Sequence, residues 1–407
     1  MNTYKLPFSV IGLVILLAII ASACTPADAP TPGSKEAPKP AAGDSSPQPV
    51  SGESIKVGVI MPTAGPYATM GIPFNEGVSL AVEKINAAGG VSGRKLEAVF
   101  QDNQGDVQTT TALVRKMTAD KAIIAILGLT PIVASQAAAV VGEQEGIVLL
   151  TSAPTRSLYK GKKYVFTQAA PEDVIADAEV QFVKRQLGWK KVGALRDPTE
   201  YGQQTAAFFR DAAVKVGLEV LVDGYQFADA DLTPQLLKLK TAGVGGIMIA
   251  GGQPKVPAII LKNLDAMGWK VPVLVVAALS NPSFLDLAGP LAEGVYLESY
   301  LAYQPEAQTP AERELFAAFK AKGLPNFPLM FHANGWDCVN LVAQALAKSG
   351  PDRAKLRDAL EQTKGFQGVA GTVNMSPSDH NGHSTDAVNF VRVEKGRMKF
   401  LWSPRLK

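Results

Sequence analysis

From residue 55 onward, short apolar runs alternate with longer amphipathic stretches. Residues 55–61, 122–127, 147–151, 246–250 and 273–276 are apolar and rich in branched side chains. Each run is too short for a helix and fits a strand covered on both faces. Between them, residues 71–88, 107–119, 132–143, 172–187, 232–241 and 255–267 repeat their apolar positions with helical spacing. Strands over 95–100, 191–196 and 218–225 complete the pattern. Strict β-α alternation predicts parallel sheets with helices on both faces. The alternation runs once to residue 151, passes an extended piece at 164–168, and restarts. Two series of similar size predict two similar lobes, with the cleft between them as the default ligand site.

The last third departs from this rhythm. An extended segment over 294–303 precedes three helical patterns, 311–322, 329–348 and 351–363. A short extended segment follows at 371–375, then a hairpin over 389–401 turning at Glu394-Lys395-Gly396. A chain that revisits the first lobe needs several inter-lobe connections, which predicts a hinge.

The N-terminus carries different information. Lys5 precedes the apolar run 8–20, which ends at Ala21-Ser22-Ala23-Cys24. This is the layout of a secretory leader over residues 1–23. It resembles a lipoprotein leader whose cysteine, Cys24, is lipidated after cleavage, with Ala21 in place of the usual leucine. A transmembrane anchor is the alternative, but the run is short for a span. Residues 24–53 are rich in Pro, Ala, Gly and Ser and read as a tether.

Composition narrows the function. The chain has 407 residues, 47% apolar and 19% charged, with a formal net charge of +3. That charge gives no footprint for nucleic acid. Two cysteines exist, and with Cys24 lipidated Cys338 stands alone in an apolar helical pattern, as a small core residue. No Gly-x-Ser-x-Gly or P-loop motif occurs, and the glycines at 243–246 precede a strand where a dinucleotide fingerprint would follow one. His380 and His383 with Asp379 and Asp386 fall in a turn without a third strong metal ligand. No metal or cofactor is expected, and a hydrolase is the weaker class. Trp336 and Asp337 read as core packing and an internal hydrogen bond.

The strand 147–151 leads into Thr151-Ser152-Ala153-Pro154-Thr155, a hydroxyl-rich turn at the carboxyl end of a parallel strand. Ligands sit beyond such ends in open α/β sheets. This turn can offer N–H and O–H groups to a small polar solute.

Several segments together resemble the leucine/isoleucine/valine-binding group of ABC-transporter solute receptors. They are Lys56-Val57-Gly58-Val59-Ile60, Gly65-Pro66-Tyr67-Ala68, Asn86-Ala87-Ala88-Gly89-Gly90-Val91, Gly93-Arg94-Lys95-Leu96 and Asp379-His380-Asn381-Gly382. The resemblance covers residues 54–403. It implies an α/β fold of two doubly wound lobes joined by about three crossings and closing on ligand as a flytrap. One lobe would take 54–168 and 298–374, the other 169–297 and 375–407. It implies a monomer outside the cytoplasm, lipid-anchored to the cell membrane, delivering a branched-chain amino acid or related carboxylate or amide to an ABC permease. A receptor of the same fold feeding a signalling partner is the rival.

By position, the resemblance places Met70, Thr130, Ile132, Ala153, Pro154, Thr155, Tyr201, Gln253 and Ala277 in the ligand site. Ala153 and Thr155 fall where relatives hold a carboxylate. Tyr67 is a further aromatic near the cleft. Ala277 is the departure, because amino-acid-binding members commonly carry an acid there to pair with the ammonium. A buried ammonium without an acceptor is costly. Either the ligand lacks a free α-ammonium or the acceptor comes from elsewhere.

Overall fold

The computed structural model describes residues 52–325 and 327–406. The expected leader, Cys24 and nearly all of the expected tether lie outside the described residues. Among the described residues no helix is long and apolar enough to cross a membrane.

The apolar runs become strands wherever both faces can be covered. The first series gives β1 (Ile55–Ile60), α1 (Ala68–Ala87), β2 (Leu96–Gln101), α2 (Val107–Ala119), β3 (Ile123–Gly128), α3 (Ile132–Glu145), β4 (Val148–Thr151) and β5 (Val165–Thr167). These strands form one parallel sheet in the order β2-β1-β3-β4-β5. β3 and β4 are buried at every position, as central parallel strands should be. Local chemistry sets the helix ends. Asp106 caps α2 by accepting from the Thr109 N–H (2.7 Å), and Gly146 closes α3 in a left-handed conformation.

The second series gives α4 (Glu172–Arg185), β6 (Lys191–Arg196), α5 (Glu200–Lys215), β7 (Glu219–Gly224), α6 (Thr233–Thr241), β8 (Gly246–Ala250), α7 (Lys255–Ala266), β9 (Val273–Val275), α8 (Pro282–Ala288) and β10 (Tyr296–Ser299). The chain then supplies α9 (Pro310–Ala321), α10 (Met330–Ser349), α11 (Arg353–Glu361) and the small hairpin β11 (Phe366–Gly368) and β12 (Gly371–Val373). It ends with the hairpin β13 (Asn389–Glu394) and β14 (Arg397–Trp402). The second sheet runs β14-β13-β10-β9-β8-β6-β7. Its inner strands are parallel, and β13 adds antiparallel to β10.

Each sheet has its own core. The first gathers Val57, Phe74 and Leu127 with Leu315, Trp336, Leu341, Leu356 and Val373, so α9 to β12 return to the first lobe. The second gathers Phe182, Phe209, Ile249, Val275 and Leu297 with Phe390 and Val391. The chain therefore passes between the cores near residue 169, near residue 300 and within 375–387. β10 lies wholly in the second sheet, so Glu298 and Ser299 are strand residues of that sheet. The cause is parallel pairing of β10 with β9, which holds Leu297 opposite Val275.

Polar side chains tie the passages together. The Asn381 amide donates to the carbonyls of Thr167 (3.0 Å) and Ala169 (2.7 Å). His383 hydrogen-bonds the Gln168 carbonyl, and His380 stacks on Phe166 with centroids 4.1 Å apart. Both imidazoles are thus engaged inside the hinge. Asp337 accepts from the Val369 N–H (2.9 Å) and the Gln168 amide (3.2 Å). Trp336 and the free thiol of Cys338 are buried in the first core.

Helices α1 and α10 approach unusually closely through two glycines. A Cβ on Gly77 would meet the His332 carbonyl oxygen at 2.1 Å, and one on Gly335 the Phe74 oxygen at 2.2 Å. Only hydrogen fits at either position. This contact holds the first two turns of α10 against the second and third turns of α1.

Candidate functional site

A cavity of about 340 Å³ lies between the lobes. The first lobe contributes the turns after β1, β3 and β4. The second contributes the turns after β6, β8 and β9. These are carboxyl ends of parallel strands, where helix and strand diverge and leave a crevice.

Eight of the nine residues placed in the site from the sequence line this cavity: Met70, Thr130, Ile132, Ala153, Pro154, Tyr201, Gln253 and Ala277. Tyr67 lines it as well. Thr155 does not. It is buried, and its hydroxyl pairs with that of Ser157 (3.2 Å) at the start of a short 3-10 turn over Arg156–Leu158. A Thr-x-Ser pair satisfies itself locally, which withdraws the hydroxyl from the cleft. Ser152 lines the cavity instead. It is buried and, among the described residues, its Oγ has no partner, while its N–H is held by the Gly128 carbonyl (2.9 Å).

The backbone before Thr130 is constrained. Gly128 has φ 98° and Leu129 has φ 63°. Leu129 is fully buried and its N–H donates to the Ile60 carbonyl (2.8 Å), which locks a conformation that leucine disfavours. Asn103 then fixes the loop by donating to the Thr130 carbonyl (3.0 Å).

Two carboxylates stand on the second-lobe wall, in different states. Asp197 is saturated. One oxygen accepts from the Thr199 N–H (3.0 Å) and hydroxyl, the other from the Gly252 N–H (3.1 Å). Among the described residues, Glu298 accepts only from the Ala277 N–H (3.2 Å). It is 2% exposed, and burial pushes its carboxyl up to about 7. Glu298 is an acid beside Ala277 that the residues near 277 did not show. It reaches the Ala277 position from β10, because parallel pairing lays β10 beside β9. A lone glutamate inside the apolar segment Val295-Tyr296-Leu297-Glu298 was its signal.

Helix α10 adds residues that spacing alone did not single out. Met330, Phe331 and Asn334 line the cavity. Asn334 is 1% exposed, and among the described residues neither its amide nitrogen nor its oxygen has a partner. A buried amide left wholly unpaired is costly, so something polar must complete it.

The lobes also touch around the cavity. Gln136 on α3 donates to Glu200 on α5 (3.0 Å). Met70 reaches Gly252, its methyl 3.6 Å from where a Cβ would sit there. The Glu172 N–H at the start of α4 donates to the Pro154 carbonyl (2.8 Å).

The comparisons with known proteins agree with this geometry. A family model described as periplasmic binding protein matches residues 54–397. The chain belongs to that family. It is a family of solute-binding proteins. Among curated relatives, the leucine-, isoleucine-, valine-, threonine- and alanine-binding protein of Pseudomonas aeruginosa is 27% identical over 314 residues, 76% of this chain and 82% of that one. The Leu/Ile/Val-binding protein of Escherichia coli is 26% identical over 273 residues, covering 66% and 73%. Among solved structures, an ABC-transporter substrate-binding protein from Desulfitobacterium hafniense in complex with Leu is 26% identical, with a TM-score of 0.73 over 86% of this chain and 100% of that one. A leucine-binding protein from Thermotoga maritima has a TM-score of 0.76 at 22% identity over 86% and 99%, which speaks for the fold.

Proposed function

We propose that this periplasmic binding protein captures a branched-chain amino acid, or a closely related carboxylate or amide, between its two lobes and hands it to an ABC permease. The observation that carries the reading is the cavity itself. It is enclosed by strand-end turns of both lobes, pairs the hydroxyls of Thr130 and Ser152 with the apolar Met70, Ile132 and Ala277, and is small. Its volume falls at the low end of the roughly 300–1,000 Å³ usual for ligand sites. The relatives named for leucine, isoleucine and valine support the same solute class.

In this reading the turn at 152–154 and Thr130 hold the carboxyl or carbonyl end. Met70 and Ile132 wrap the side chain, and Tyr201 and Gln253 close from the second lobe. The lobes comprise 54–168 with about 300–374, and 169–299 with 375–407, and close about the three passages. The chain works as a monomer, anchored by lipid on Cys24 through the tether at 24–53.

A thermal-shift panel on the purified chain tests this. Leucine, isoleucine, valine, their deaminated acids and their amides are each added in excess. A ligand at one hundred times its Kd should add about 2.7 kcal/mol of stability. A panel in which no member raises the melting temperature overturns the proposal.

A further inference from the structure

Gln168 stands where the chain leaves one lobe for the other. Phe166 belongs to the first core and Ala169 to the second. Gln168 is 1% exposed and does not itself line the cavity. Its groups nevertheless reach three parts of the protein. Its N–H donates to the Thr151 carbonyl (2.9 Å), next to Ser152 on the cavity wall. Its carbonyl accepts from His383 Nε2 (2.5 Å), on the third passage. Its side-chain amide donates to Asp337 Oδ2 (3.2 Å), on α10.

Asp337 is the far end of that last bond. Its carboxylate also accepts from the N–H groups of Val369 (2.9 Å) and Ala370 (3.3 Å). Val369 packs in the first core and Ala370 in the second, so here too the chain touches both lobes. One turn before Asp337 on the same helix, Asn334 lines the cavity. Residues three apart on a helix are neighbours on its surface. The bond between Gln168 and Asp337 therefore joins the turn that carries Ser152 to the helix that carries Asn334, and it does so through the hinge. A solute held between Ser152 and Asn334 fixes both ends of this link.

We propose that Gln168 is a positioning residue for solute capture: through Asp337 it locks the first passage to α10, so that a solute ordering the cavity wall also orders the hinge at 369–370. Gln168 acts on closure about the passages, without contact to the solute. This rests on the solute-receptor reading above and names how that site is tied to its hinge. The side chain can be removed gently. Its Oε1 is buried and, among the described residues, unpaired. An unbranched apolar side chain of similar length loses one hydrogen bond and removes one orphaned oxygen, so the fold should change little in stability.

Calorimetry with L-leucine and hydrogen exchange on the full chain test this. In the wild type, leucine should raise protection at the amides of Val369 and Ala370, neither of which lines the cavity. Gln168→Met should weaken leucine binding by about tenfold and abolish that rise, with the melting temperature of the empty protein nearly unchanged. Gln168→Glu combined with Asp337→Asn rebuilds the bond with donor and acceptor exchanged, and should restore most of the affinity. If leucine binds the wild type and leaves 369 and 370 unchanged, or binds Gln168→Met as tightly as the wild type, the link is wrong while the receptor reading stands. A Gln168→Met protein that loses melting temperature in step with affinity marks the residue as structural and also overturns the link. A wild type that binds no leucine overturns the receptor reading first, and the link with it. The wild-type exchange decides the matter even where a variant does not fold.

Discussion

Arg156 Nε lies 2.9 Å from both carboxylate oxygens of Asp173, joining the turn after β4 to the first turn of α4. The pair links the two lobes beside the first passage. Tyr159 and Asp379 extend it, with the Tyr159 hydroxyl 2.9 Å from the Asp379 carboxylate. Both partners are about two-fifths exposed, so water and salt screen the attraction. Asp173→Asn should cost at most about 1 kcal/mol at low ionic strength, and the cost should fade in 0.5 M salt. Urea melts at two salt concentrations read this. A larger loss that salt does not change would mean the pair acts through packing.

The contact of α1 with α10 should tolerate no side chain. Gly335→Val places a branched group where only 2.2 Å separates a Cβ from the Phe74 oxygen. The expected loss is about 3 kcal/mol, seen as a lower urea midpoint with unchanged slope. Gly243→Ala is the control for space, because nothing lies near its Cβ position; its φ of 70° limits the cost to the strain of that conformation.

The hinge lock on Asn381 is a matter of hydrogen bonds. Its amide nitrogen meets three acceptors, the Thr167 carbonyl and hydroxyl and the Ala169 carbonyl, all within 3.0 Å. Asn381→Ala leaves those groups buried and unpaired, and should cost about 2–3 kcal/mol of stability. Hydrogen exchange should rise first at the amides of 167–170. Protection unchanged there would contradict the role.

Asn334 should behave in the opposite way. Its amide is buried and, among the described residues, without a partner, so Asn334→Leu removes an unsatisfied group while keeping the side chain's branching and heavy-atom count. The empty protein should keep its stability or gain up to about 1 kcal/mol. Affinity for leucine should fall by about tenfold. A variant that loses stability instead would mark Asn334 as structural.

Stability should fall as pH rises above 6.5. Burial raises Glu172 to about 8 and Glu298, Glu312 and Asp337 each to about 7, well above the carboxyl value of an unfolded chain. The folded state then binds more protons than the unfolded state between roughly pH 4.5 and 8, so stability declines with rising pH across that window. Below 6.5 the buried His383, lowered to about 4, works against this trend, because an unfolded histidine takes up a proton sooner. The clean window is therefore pH 6.5–8. Melting temperature should drop across it. A flat profile would argue that these acids are better solvated than their burial indicates.

Much of the architecture was readable because it rests on local patterns. The runs that became β3, β4 and β8 are continuous apolar segments between helices with clear stops, and no other element suits them. The turns lining the cleft followed from the strand ends. Thr155 lies off the cavity through one local contact, its pairing with Ser157, which the two-residue spacing could have suggested. Glu298 was hidden for a deeper reason. Its approach to Ala277 depends on β10 lying parallel to β9, a pairing separated by a helix and a long turn, and nothing in the residues near 277 announces it. Asn334 sits in a helical pattern as a polar residue among apolar ones, and only the Gly77 and Gly335 contact turns it toward the cleft. The short elements α8 and β11 lacked the length that makes periodicity visible, although Asn281-Pro282 is a recognisable helix start.

The order of strands in the second sheet has a consequence in time. Glu298 sits on β10, and the edge of β10 away from β9 is closed only by the hairpin of β13 and β14, nearly ninety residues further along the chain. A chain made from its N-terminus completes the first sheet's strands early, yet it finishes the wall of its binding cavity last. A truncation before residue 389 would leave β10 as an open edge and the acid wetted. The receptor therefore gains its affinity for solute only when its final hairpin is in place, so ligand binding itself reports that the whole chain has arrived.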